Sequence, residues 1–283
     1  MSLALRVVLL TLLAAVPVFL IQVVREVRLR EDRAAEIVDS ARTYAGLTAA
    51  RTDRFIEGAR VLLVAASRLD SVRRGLSVEC AQELARVQVT LPEFPTVAAF
   101  HPTGTAPCSS NPNPTGTNIS DRAYFRETLA TKQFVVSDYV VGRVTGSGTI
   151  AFTYPGLDQA GNVAAVMLMF INSGPLSQLL QEVALPPGAF VALLDRTGTI
   201  VAHAPEPTAF VGRPAAETLW GRDLPVSDAG ATRATAPDGA EFAVGYAALD
   251  ASSRMSLVVG LPLGPALQSA ETLFFEAMLL TVA

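Results

Sequence analysis

The chain of 283 residues contains one lysine, Lys132, among 22 basic residues, and its formal net charge is −4. No basic block or basic stripe occurs, so nucleic acid is not an expected partner. Histidine is as scarce. His101 precedes a proline and His203 sits in an apolar run, and neither has metal-ligand spacing around it. No H-E-x-x-H, C-x-x-C or G-x-S-x-G is present, and the glycines of GRVTGSG (142–148) lack the Lys and Ser/Thr of a phosphate loop. With no legible nucleophile–base pair, the segment is expected to be non-enzymatic, with no cofactor and no metal. The one tryptophan, Trp220, is read as a packing residue. There are two cysteines, Cys80 and Cys108. An even count suggests a disulfide in an exported domain, and two unpaired core thiols are the alternative.

Apolar residues are abundant at 50% of the chain. Between Arg6 and Arg25 runs VVLLTLLAAVPVFLIQVV, without a charge. Eighteen residues at 1.5 Å rise cover ~27 Å, about a bilayer's hydrocarbon thickness. The run is read as an uncleaved membrane anchor; a cleaved signal or a buried core helix is the alternative. Pro17 is compatible with a membrane helix. Arg25, Arg28, Arg30 and Arg33 follow the run, which by charge count would place the body in the cytoplasm. Long domains, however, translocate largely regardless of charge. At the other end LFFEAMLLTVA (273–283) is too short to span, and is expected to begin a second membrane helix.

From Arg25 to about Arg74 there is no proline, and Ile37, Ala41, Leu47, Phe55, Ala59, Leu62, Ala66 and Leu69 recur near helical spacing. A long stalk helix is expected, with a stripe that packs on the body, on a second copy, or on both. Beyond it the chain repeats. VAAFHPTGTAPC (97–108) resembles VALLDRTGTIVAH (191–203), and YPGLDQAGNVAAVMLMF (154–170) resembles YAALDASSRMSLVVGLP (246–262). Thr103 and Thr197 are 94 residues apart, and Tyr154 and Tyr246 are 92 apart. A nearly constant offset points to a duplicated module of antiparallel strands and helices. FVVSDYVVGR (134–143) reads as one strand. GTIAFTYPGLDQAGNVAAVMLMFI reads as a hairpin turned at Gln-Ala-Gly-Asn. Paired prolines in ALPPGA (184–189) mark the boundary.

The stretch DRAYFRETL (121–129), followed by FVVSDYVVGRVTG and the YPGLDQAGNV hairpin, is similar to the "DRxYF … GDY…GR" pattern of the double Cache, or PDC, sensors. The resemblance covers about residues 30–265. It implies an α+β fold: a membrane anchor (1–24), a stalk helix (25–75), a membrane-distal PAS-like module (76–183), a membrane-proximal one (184–265), and the start of a second span (266–283). It implies an inner-membrane receptor with a periplasmic body. A small molecule would bind in the distal module and drive an output domain beyond this chain, of the histidine kinase or diguanylate cyclase type. A homodimer is expected along the stalk stripe. Paired Cys80 and Cys108 fit this picture. The competing reading is a module that docks another periplasmic protein and binds no small molecule.

Asp121 or Ser120 is expected to cap a helix whose first turn carries Arg122, Tyr124 and Phe125. In extended segments Tyr139 and Arg143 share one side, and so do Ile150, Phe152 and Tyr154. Arg122, Tyr124, Phe125, Tyr139, Arg143 and Tyr154 are therefore the expected ligand-binding set. Guanidinium groups suit a carboxylate. Surface ion pairing of Arg122 with Asp121 or Asp138, and core packing of the tyrosines, are the alternatives. The family's amino-acid sensors carry a tyrosine five residues before the arginine and a later aspartate for the ammonium. Those positions fall here at Thr117 and Phe170. The resemblance therefore implies an organic acid rather than an α-amino acid.

Overall fold

The computed structural model describes residues 3–73, 78–90, 92–111, 117–143, 146–219, 229–250 and 253–264, with side chains from Leu20 onward apart from 26, 73 and 78. The anchor side chains before Leu20, Trp220 and the segment expected to re-enter the membrane lie outside the described residues. Among the described residues no helix is long and apolar enough to cross a membrane.

Helix α1 spans Leu3–Ser67. Beyond Pro17 it has no proline and only two glycines, Gly46 and Gly58, so little interrupts its backbone ladder there. Short α2 (Asp70–Arg73) and α3 (Val78–Val89) lead into a first sheet made of β1 (Thr96–Phe100), β2 (Cys108–Ser109), β3 (Val135–Val136), β4 (Val140–Val141), β5 (Gly148–Leu157) and β6 (Val163–Asn172), with α4 (Ala123–Thr131) between β2 and β3. Its order is β2-β1-β6-β5-β3, with β4 also on β5. Helix α5 (Ser173–Gln181) leads to β7 (Phe190–Leu194), β8 (Ile200–Ala204), α6 (Pro207–Phe210), α7 (Ala215–Thr218), β9 (Gly230–Thr235), β10 (Glu241–Ala248) and β11 (Ser256–Pro262). The second sheet has the order β8-β7-β11-β10-β9. Replacing β1, β2, β3, β5 and β6 by β7, β8, β9, β10 and β11 turns one order into the other.

The duplication is clearest at the Thr-Gly-Thr turns. Gly104 donates to His101 at 2.7 Å and Gly198 to Asp195 at 3.0 Å, and both glycines have positive φ, +91° and +79°. That backbone is strained for any side chain, so each turn requires glycine. The second sequence match fails face by face. Tyr154 lies on the α1 side of its sheet, whereas Tyr246 lies on the opposite side of the other. A bulge between Gly156 and Leu157 shifts the pairing of β5 with β6, and one extra residue turns every neighbour to the other face.

Both sheets lay one face along α1. The buried stripe of the helix is mainly small: Ala34, Ala41, Ala45, Ala49, Ala59 and Ala66, with Ile56 and Leu63. Leu47, expected in this stripe, is 67% exposed. Small side chains let strand and helix approach closely. A Cβ on Gly245 of β10 would stand 2.0 Å from the carbonyl oxygen of Ala41. Cys80 of α3 and Cys108 of β2 form a disulfide with Cα atoms 5.9 Å apart. In the chain-entropy model, closing a loop of this length contributes about 3 kcal/mol.

The single strand expected over 134–143 is two, β3 and β4, with a break at Ser137–Tyr139. Ser137 still pairs with Ala151 through its backbone and its hydroxyl. The N–H of Tyr139, however, leaves the sheet and donates to Oδ2 of Asp195 in the second module at 2.9 Å.

Candidate functional site

Alternation decides what each face of the first sheet offers. On β5, Ile150 and Phe152 point toward α1, and on β6 so do Met167, Met169 and Ile171. The opposite face carries Thr149 and Ala151 of β5, Leu168 and Phe170 of β6, and Thr96 and Ala98 of β1. The short Thr149, Ala151, Thr96 and Ala98 leave room, and with Arg122, Tyr124 and the 140–143 stretch this face lines a cavity of about 480 Å³.

Arg122 is not in the first turn of α4. It takes the N-cap position with φ −72° and ψ 133°, and no side chain caps the helix. Asp121, expected as a cap, is bonded instead to Arg143, whose guanidinium holds the Asp121 carboxyl below its ordinary range. The Arg122 side chain lines the cavity, and its Nη2 donates to the carbonyl of Val141 at 3.2 Å. Tyr124 lines the same space and is 8% exposed. Burial pushes its phenol above the ordinary value, with Arg122 and Arg143 opposing, so the hydroxyl keeps its proton and remains a donor.

Three of the six expected residues therefore meet at the cavity: Arg122, Tyr124 and Arg143. Phe125 is fully buried in the core under α4, edge-on to Phe100 at 6.4 Å. Tyr139 and Tyr154 do not line the cavity; both pack against the cluster around α1. Tyr154 lies there by the alternation of β5. Tyr139 lies there because the strand break removes it from the side it would share with Arg143. A Cβ on Gly212 of the second module would stand 2.9 Å from the Tyr139 hydroxyl, so this ring sits between the modules.

Thr117 and Phe170 line the cavity with Arg122 and Tyr124. Sequence reading did not single out Asn111, Asn172 or Thr149 as lining residues. Asn172 Oδ1 accepts from the hydroxyls of Thr149 at 3.0 Å and Ser147 at 3.3 Å. The usable signal was the parity of β5: a hollow lies on the side with the smaller residues. No Asp or Glu lines the cavity among the described residues.

Asp195, read from sequence as a turn aspartate, does more. Its Oδ1 accepts from the N–H groups of Thr197 and Thr199, each at 2.9 Å, while Oδ2 takes Tyr139. Beside it, Arg196 pairs with Asp138 at 2.8 Å and Glu127 at 3.3 Å, and Arg254 pairs with Glu127 at 3.2 Å. Asp138 and Tyr139, the residues just before the cavity wall, are thus both bonded to the second module.

No family model matches the chain. Over 110 residues it is 26% identical to sporulation kinase D of Bacillus subtilis (strain 168), a match spanning 39% of this chain and 21% of that kinase. Solved structures cover far more of it. The extracellular domain of the histidine kinase candidate rpHK1S-Z16 superposes with a TM-score of 0.70 at 22% identity, over 81% of this chain and 95% of that domain. The ligand-binding domain of the Pseudomonas fluorescens chemoreceptor CtaA, in complex with L-isoleucine, gives 0.68 at 16% identity, over 85% and 98%. With two sheets of one strand order strung along a long helix, the chain has the double Cache fold of extracellular sensor domains.

Proposed function

We propose that the chain is the extracytoplasmic sensing region of a membrane-anchored signalling receptor, and that its first module binds a small organic acid. The observation that carries the ligand class is the cavity lined by Arg122, Arg143 and the protonated Tyr124, with no carboxylate among its described lining residues. A guanidinium fixes a carboxylate through two parallel hydrogen bonds, and a phenol adds a third. CtaA is known in complex with an amino acid. In this chain an α-ammonium would face Phe170 and gain at most a cation–π contact. A concave cavity with a few convergent polar groups also favours sensing over protein docking.

The apolar run 7–24 anchors the chain in the inner membrane, with the body in the periplasm. The output domain lies outside this chain. A second copy packs along α1, whose exposed Leu47 and Val61 stand two heptads apart. Carbonate extraction of membranes checks the anchor, and sedimentation of the full chain in detergent checks the dimer.

Calorimetry across mono- and dicarboxylic acids and amino acids tests the ligand class. An organic acid binds, and Arg122→Gln weakens it about ten- to hundredfold, the loss of a charge-assisted contact. Tight binding of an α-amino acid, or an organic acid indifferent to Arg122→Gln, would overturn the reading.

A further inference from the structure

The second sheet has its own cavity, of about 340 Å³, on the face that corresponds to the first. Phe190, Phe210 and Phe242 supply much of its wall. His203 also lines it and is 2% exposed. The imidazole lies 4.1 Å from the Phe210 ring at 27° and 5.8 Å from Phe190 at 19°. Its Nδ1 is bonded to the carbonyl of Pro205. A carbonyl can only accept, so Nδ1 carries a proton, and in the neutral imidazole Nε2 is then a bare acceptor. That Nε2 is buried and has no hydrogen-bond partner. Glu206 and Asp238 line the cavity with exposed carboxylates, and no Lys or Arg lines it among the described residues.

We propose that this cavity is a second ligand site, for an organic ammonium ion with a compact apolar body, whose N–H donates to Nε2 of His203. An acceptor without a partner calls for a donor on the ligand. Phenyl faces attract a cation, and two carboxylates at the mouth favour it further. The same carboxylates exclude the organic acid of the first module. The two cavities therefore take ligands of opposite charge on corresponding faces of one repeated design.

Benzylamine, protonated at pH 7.5, is the probe, with benzyl alcohol and benzoate as comparators and the full chain in detergent micelles as the protein. Calorimetry gives affinity, and the imidazole nitrogen resonance of His203 reports on Nε2. Benzylammonium binds saturably and moves the Nε2 signal, and benzyl alcohol binds at least about tenfold more weakly. Glu206→Gln combined with Asp238→Asn weakens the amine about three- to tenfold by removing only exposed charges. His203→Phe weakens it at least about tenfold, the loss of an acceptor for a charged donor. Arg122→Gln leaves it unchanged, which separates this site from the first. No saturable binding, an unmoved Nε2 signal, equal binding of the alcohol, benzoate binding here in the Arg122→Gln chain, or amine binding indifferent to the Glu206/Asp238 pair would each overturn the proposal.

Discussion

At the scale of single residues, environment matters more than residue type. Two tyrosines with the same hydroxyl chemistry, Tyr124 and Tyr154, end on opposite sides of one sheet, and only the first reaches the cavity. His203 shows what burial does to a titrating group. Desolvation lowers its pKa from 6.5 to about 4, against a smaller opposing effect of the Pro205 carbonyl. The folded state holds it neutral where the unfolded chain would protonate it. Its contribution is complete above pH 6.5 and is lost as pH falls toward 4, because there the unfolded state binds more protons. The loss is on the order of 3 kcal/mol across that window. Denaturant melts of the wild type and His203→Phe at pH 7.5, 5.5 and 4 measure it. The gap between the two should shrink or reverse toward acid. A pH-independent gap would show that His203 titrates normally in the fold.

At the scale of elements, most of the architecture was legible, because it is written in short-range chemistry. The helix, free of proline after Pro17, the Thr-Gly-Thr turns and the Asp-containing hairpin each follow from a few adjacent residues. What was not legible depended on partners far along the chain. No local pattern shows that Asp195 draws the Tyr139 N–H out of a strand 56 residues away. None shows that the side of β5 shared by Ile150, Phe152 and Tyr154 is the one that turns toward α1. Half of the expected site was lost, Tyr139 to the strand break, Tyr154 to the side that the alternation of β5 gives it and Phe125 to the core under α4, while Arg122, Tyr124 and Arg143 stayed together. The contact of α1 with β10 gives a sharp test of element packing. Gly245→Ala drives a Cβ into the Ala41 backbone, where no flexible atom can yield, and should cost about 1–3 kcal/mol or more. Gly58→Ala on the same helix meets nothing within 4 Å and should stabilise by about 0.5–1 kcal/mol. Thermal unfolding of the two variants should therefore shift in opposite directions. A neutral Gly245→Ala would mean that the sheet does not lie on α1 as described.

At the scale of the whole molecule, the cavity wall and the second module share one run of chain. Val140 to Arg143 borders the first cavity, and Tyr139, one residue earlier, is held by Asp195. A ligand that draws on Arg122, which itself holds the Val141 carbonyl, therefore acts on a segment tethered to the other sheet. This can carry a signal only if the ligand binds two arrangements with different affinity, typically by about 1–3 kcal/mol. Asp195→Asn isolates the tether. The retained Oδ1 can still accept from Thr197 and Thr199, but the amide would present a donor to the Tyr139 donor. Stability should fall by about 1–3 kcal/mol, and organic-acid affinity should stay within about threefold. Spin labels at the exposed positions 159 and 217 should report a ligand-induced distance change in the wild type that shrinks in the Asn variant. An undiminished change would place the coupling in α1, which touches both sheets, rather than in the Tyr139–Asp195 bond.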